Sequence, residues 1–299
     1  PSMLSASQLA FLMGAVRSHW GLAPGAEVTL EMDPASFDRS RLEAVLELGI
    51  NRVSLGGQSF DDGVLEGLGR RHRASQLREA CGWLRQAQQK AQLQSWSLDL
   101  IVNLPHQSPA AWDWELTQAL AQAPPHLSIY DLIVEPGTVF AWRQHRGELP
   151  LPEDDQAADQ LQSTHHRLKA AGYGHYEISS WALPGQASRH NRVYWSGADW
   201  WALGLGSTAG VGGQRLARPR TRQAYADWVE QQAGQQCQGS GAGLPPLEDL
   251  LLVGLRRREG VDLAWLQQAQ LWKADAAWLQ RVLAGWIERG VVELTGQRL

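Results

Sequence analysis

Two hydrophobic periods alternate along the first 180 residues. Leu9, Leu12, Met13 and Val16 recur at helical spacing after a Ser-rich start and predict a helix over 5–20. Glu27–Asp33 alternates apolar with polar residues and reads as a strand halted by Pro34. An amphipathic helix, Asp38–Leu48, closes at Gly49, and Arg52–Gly56 is the next strand. Helices are expected at Asp61–Leu68 and Ser75–Ala91, a strand at Trp96–Asn103, a helix from Pro109 to Gln122 and a strand at Leu127–Val134. A further helix runs from Pro152 to Ala171, and His175–Ser179 is a fifth strand. Strands and helices in this order form βα units around a parallel sheet, open or closed into a barrel. Either form gathers ligands at the C-terminal strand ends.

Strand phase carries a second message. Val28, Leu30 and Met32 share one face of the first strand, and Thr29 and Glu31 the other. In the second, Val53 and Leu55 oppose Ser54, Gly56 and Gln58; in the third, Leu98, Leu100 and Val102 oppose Ser97, Asp99 and Ile101. The first of these faces meets helices. The second is small or polar, unlike the branched apolar filling of a packed barrel, and predicts a polar-lined cavity. Glu31, Gln58 and Asp99 stand near its mouth. Buried carboxylates there need donors, such as a ligand amine, ribose hydroxyls or Arg70. Gly56-Gly57 leaves the backbone open to a ligand.

Ser188-Arg-His-Asn-Arg-Val-Tyr-Trp195 follows, read as an aromatic loop, then the glycine-punctuated Leu203–Gly213. A His among flat aromatics suits a flat apolar ligand or a metal within one. Residues 231–246 have linker composition. Helical patterns at 247–257, 262–271 and 275–289 and a tail hairpin over 291–299 predict a small winged-helix-like accessory domain. The expected division is 1–185, 186–240 and 241–299.

Composition narrows the function. With 43% apolar residues and a net charge of −4, and Arg256–Arg258 as the one basic run, a nucleic-acid surface is not expected. No apolar run reaches membrane-span length and no leader is evident, so a cytoplasmic protein is expected. Cys81 and Cys237 stand far apart, so neither a disulfide framework nor a cysteine metal site is expected. The 15 tryptophans outnumber four Phe and five Tyr and do much of the core work of Phe. His165, His166, His19, His126 and His145 read as surface or structural; His72, beside Arg70 and Arg71, is a further candidate for the site.

Taken together, Glu31 within EMDP, Asn51–Phe60 (NRVSLGGQSF), Arg70, Leu98–Pro105 (LDLIVNLP) and Glu135-Pro-Gly-Thr138 resemble radical S-adenosylmethionine (SAM) proteins of the oxygen-independent coproporphyrinogen III oxidase type. His190-Asn-Arg-Val-Tyr-Trp195 matches the HNxxYW motif of HemW-like heme chaperones within that group, and Leu255–Leu263 resembles their accessory domain.

The resemblance implies a partial (β/α) barrel with SAM contacts at Glu31, Gly56, Gln58, Arg70 and Asp99. It implies a heme site at His190, Asn191, Tyr194 and Trp195, with His190 as axial ligand and Arg189 or Arg192 at the propionates. The partner implied is heme or a porphyrin, passed to a heme-accepting protein. The family's [4Fe–4S] cluster needs three cysteines in CxxxCxxC, which this sequence lacks. Pro1-Ser2 resembles the end of the family's GGGTPS segment, so a truncated chain without radical chemistry is expected. Three further departures are Gly57 where the family commonly has Val, Val102-Asn103 in place of Tyr-Gly, and Gly210 where His is frequent. Two activities remain: heme chaperone, or, in a full-length parent, oxidative decarboxylation of coproporphyrinogen III. A sugar- or phosphate-processing barrel lacks a phosphate loop or paired-carboxylate signature.

Overall fold

The computed structural model describes residues 2–232, 243–273, 276–296 and 298–299. Its residues group into two compact units, Pro1–Ala187 and Ser188–Leu299.

The first unit runs α1 (Ala6–His19), β1 (Thr29–Met32), α2 (Arg39–Glu47), β2 (Arg52–Gln58), α3 (Asp62–Gly67), α4 (Ala74–Gln89), β3 (Ser95–Val102), α5 (Pro109–Ala121), β4 (His126–Asp131), α6 (Val139–His145), α7 (Asp154–Ala170), β5 (Gly174–Glu177) and β6 (Ser180–Ala182). Side chains cap these helices as the pattern requires. Ser5 and Gln8 form a reciprocal box on α1, and Asp38, Asp61 and Ser108 each accept a backbone N–H at the start of α2, α3 and α5. The strands order as β1-β2-β3-β4-β6-β5, the first four parallel, giving a partial (β/α) barrel.

The apolar strand phase makes the core. Val53, Leu55, Trp96, Leu98, Leu100 and Leu127 are sealed against Leu77, Leu84, Trp112 and Leu116 of α4 and α5. Each such side chain stabilises the fold by roughly 1.5–3 kcal/mol. Trp112 also satisfies its indole N–H, donating to Thr164 Oγ1 at 2.7 Å. On α1 only part of the expected stripe is used: Leu9 is buried, whereas Leu12 is exposed.

Three local expectations change. The fifth strand is a hairpin whose second arm, β6, pairs antiparallel with both β4 and β5. The chain after β4 forms α6, with Thr138 as its N-cap, where no helix is expected from the sequence. Glu31 is exposed rather than buried, so it needs no buried partner.

The second unit contains α8 (Arg189–Ser196), β7 (Thr208–Val211), β8 (Gln214–Ala217), α9 (Arg222–Gln232), α10 (Leu247–Gly254), α11 (Leu263–Gln268) and α12 (Ala276–Glu288). The segment expected to be an aromatic loop is thus a helix. Ser188 accepts the Asn191 N–H at its start, and Gly197 closes it in the left-handed region at φ 71°. The glycine-rich stretch supplies a hairpin, turning at Gly212 and Gly213 with φ 58° and 76°. Leu250, Val261, Leu263, Leu266 and Leu279 form a separate small core. The tail returns onto it, with Leu299 donating to Val261 O at 3.1 Å. The expected 291–299 hairpin has a counterpart in the Thr295–Arg298 bridge.

Candidate functional site

The polar strand phase opens into a cleft of about 530 Å³ at the C-terminal strand ends. Glu31, Ser54, Gly56, Gln58, Arg70 and Asp99 all line it, so the five expected SAM contacts converge on one concave surface. Parallel register brings them there. Glu31 lies across from Ser54, and Gly56 from Asp99, which in turn faces Ser128. Asp33, Tyr130, Asp131, Leu132 and Ile133 complete the wall and were not singled out from sequence. Alternation places Tyr130 and Asp131 on opposite faces of β4, so only the strand's end in the assembled sheet brings both to the cleft.

Asp99 is the floor of the cleft. Ser54 Oγ donates to its Oδ2 at 2.8 Å and lies 2.7 Å from Ser97 Oγ. Asp99 Oδ1 is buried with no hydrogen-bond partner in the protein. Burial pushes the carboxyl up to about 6 against the pull of the Ser54 and Ser128 hydroxyls, with the neighbouring Glu31 charge raising it further. The donor anticipated from Arg70 is instead Ser54. Arg70 Nη1 lies 3.8 Å from Asp33 Oδ2.

A bulge at Gly56/Gln58, with Gln58 at φ 65°, turns Gln58 toward the cleft. His72 braces it: the ring is wholly buried and its Nε2 lies 3.0 Å from Gly57 O, while Nδ1 is 3.9 Å from Asp33 Oδ1. Of the two glycines, Gly56 lines the cleft, and a Cβ there would lie 3.0 Å from Gln58 Nε2. A Cβ at Gly57 would meet Leu98 Cδ1 at 2.8 Å and Leu77 Cδ1 at 3.0 Å, so these leucines fill the room that a larger residue there would need.

The HNxxYW segment occupies α8 of the second unit. His190, Val193 and Tyr194 share a face by i, i+3, i+4 spacing, with the His190 and Tyr194 rings edge to face at 4.6 Å. His190 and Val193 are exposed. Tyr194 then meets Trp200 at 5.1 Å. Asn191 and Trp195 lie on the adjoining face, where Arg256 covers the Trp195 ring at 4.2 Å. Arg192 is committed to an ion pair with Glu259. Trp195 is therefore a packing residue on α8 rather than an open aromatic surface. The cavity beside Tyr194 and Trp200 is about 30 Å³, room for about one water.

Trp200 also accounts for Gly210. Their backbones pair in both directions, at 2.7 and 3.0 Å, and a Cβ at 210 would lie 2.4 Å from the Trp200 ring. A Gly210→Ala protein is expected to lose about 1–3 kcal/mol, measured by denaturant unfolding, because the indole has to move off the hairpin.

The cysteines do not make a cluster site. The sequence has two; Cys81 is wholly buried in α4, its thiol pushed up to about 12 by burial, and Cys237 lies outside the described residues. Three thiolates for a [4Fe–4S] cluster are not available from these residues. Among the described residues, no helix is long and apolar enough to cross a membrane.

The partial barrel and its polar cleft define the class: the Radical SAM superfamily model matches residues 4–114. The solved structure of coproporphyrinogen III oxidase (HemN) from Escherichia coli superposes with a TM-score of 0.77 over 99% of this chain and 71% of that one, at 21% identity, which establishes the shared fold. The heme chaperone HemW of Synechocystis sp. is 39% identical over 99% of this chain and 71% of its own length. That of Mycobacterium tuberculosis is 35% identical over 100% and 74%. The chain belongs to the HemW heme chaperone family.

Proposed function

We propose that this chain carries heme on the exposed face of α8 and binds SAM in the barrel cleft. The observation behind the heme site is the placement of His190, Val193 and Tyr194 on one face of a capped helix, within the HNxxYW segment. An imidazole nitrogen of His190 would hold the heme iron. The edge of the Tyr194 ring limits how the imidazole turns, Val193 supplies apolar contact, and Arg189 or Arg192 meets a propionate.

The cleft fits a cationic nucleoside ligand. Asp99 Oδ1 offers an unmet acceptor, Glu31 a second carboxylate and Gly56 a wall without a Cβ. SAM held there would meet these groups through its amine, hydroxyl and sulfonium functions. The cluster that reduces SAM elsewhere in the superfamily does not fit the cysteines of this sequence, and no radical step is assigned to it. Delivery to a heme-accepting protein is the corresponding role.

Hemin titrated into the purified chain should develop a Soret band. His190→Ala should weaken binding at least about tenfold, ~1.4 kcal/mol, and shift the band. A variant titration superimposable on the parent's would overturn the assignment.

A further inference from the structure

Asp131 ends β4 at the rim of the cleft, and it is not one of the contacts that the family resemblance supplies. Its position is fixed from the neighbouring strand. Asn103, just beyond β3, donates Nδ2–H to Asp131 Oδ1 at 2.9 Å. Asn103 is 5% exposed and its backbone has φ 60°. Asn tolerates this left-handed conformation better than other residues with a Cβ, though less freely than glycine. The Asn103 Oδ1 is buried without a partner, and the side-chain hydrogen bond the amide makes is with a carboxylate facing the ligand space.

The charge balance of the cleft gives that contact a purpose. Glu31, Asp33, Asp99 and Asp131 line it together with a single guanidinium, that of Arg70. Arg70 leans toward Asp33 at 3.8 Å. Asp99 is stabilised from below by Ser54, and Asp131 from the side by Asn103. Neither hydrogen bond neutralises its carboxylate, so both leave negative charge directed at whatever fills the cleft. A side chain held in one orientation also loses less freedom when a ligand arrives than an untethered one does.

We propose that Asp131 is a specificity-determining residue that selects a positively charged ligand, and that Asn103 is its positioning residue. The proposal rests on the reading of the cleft as a SAM site and names the group that distinguishes SAM from its uncharged-sulfur relative. SAM and S-adenosylhomocysteine share adenosine, amine and carboxylate; they differ in the methyl group and in the sulfonium charge. A fixed carboxylate on the cleft wall favours the ligand that carries the additional positive charge.

Isothermal titration of the full chain with each compound tests this. The parent should bind SAM more tightly than S-adenosylhomocysteine. Asp131→Asn keeps size and polarity but removes the charge, and should reduce that preference about tenfold, mostly through weaker SAM binding. Asn103→Gly relaxes the backbone and frees Asp131; it should keep the thermal midpoint at or above the parent's while lowering the preference part of the way. A parent that binds neither compound overturns the SAM reading, and this proposal with it. A parent that binds both, with the preference unchanged in Asp131→Asn, overturns the role of Asp131 alone. A preference lost in Asp131→Asn but intact in Asn103→Gly overturns the positioning role of Asn103.

Discussion

Affinity for SAM should rise about tenfold between pH 5 and pH 7, as Asp99 passes from about one-tenth to about nine-tenths ionised. The cause is the position of its carboxyl, lifted to about 6 by burial, under a ligand that favours the ionised form. Binding below pH 6 then takes a proton from the protein, which calorimetry in buffers of different ionisation enthalpy will register. Asp99→Asn should bind more weakly and lose the rise. The same shift acts on stability with the opposite sense. A carboxyl raised above its ordinary 3.8 holds its proton more tightly in the folded chain, so its contribution to stability is greatest below about pH 4 and declines as the pH climbs toward 6. Thermal midpoints of the parent and of Asp99→Asn should therefore diverge across that window, with the parent falling. A flat SAM affinity in the parent from pH 5 to 7 would show that Asp99 does not face the bound cation.

The second large effect is expected at Glu115, a buried carboxylate of α5. It accepts the Ser59 hydroxyl and the Phe60 N–H, the latter at 2.8 Å. Through these two bonds it fixes the turn that directly follows Gln58 at the cleft. Burial raises its pKa, and the same two donors hold it down. Glu115→Ala strands both donors in the interior and leaves a void. Its expected cost is about 2–4 kcal/mol, measured by urea unfolding. Glu115→Gln fills the space but turns an amide N–H toward one donor, so it should fall between the two. A loss under ~0.5 kcal/mol for the alanine variant would mean that water satisfies the turn without help from α5. SAM affinity should fall alongside stability, because Gln58 is aimed by the same turn.

These two residues differ in how far sequence reveals them. Asp99 was legible because β3 alternates strictly: Leu98 and Leu100 bury one face, and the odd position between them has to point the other way. Glu31 and Gln58 follow from the same phase in β1 and β2, though Gln58 reaches the cleft through a bulge that alternation alone does not disclose. Glu115 was not legible. It sits among apolar residues on a helix, and only the approach of the Ser59–Phe60 turn explains a carboxylate there. Asn103 follows β3 and Asp131 ends β4, and their contact exists only in the paired sheet. In the second unit the signals were present but compete with composition. Ser188 and Gly197 bracket α8 as a cap and a stop, and they place His190 and Tyr194 one turn apart; the dense aromatic and polar content instead suggests a loop.

The sequence by itself determined the βα order, the apolar and polar faces of the first three strands, and the family motifs, because each depends on spacing within one segment. Tertiary structure alone decided the insertion of β6 beside β4, the Arg70–Asp33 approach, the Trp200 ring over Gly210 and the hold of Asn103 on Asp131. Those features join residues from different elements, and their energies are set by packing and register that no local periodicity encodes.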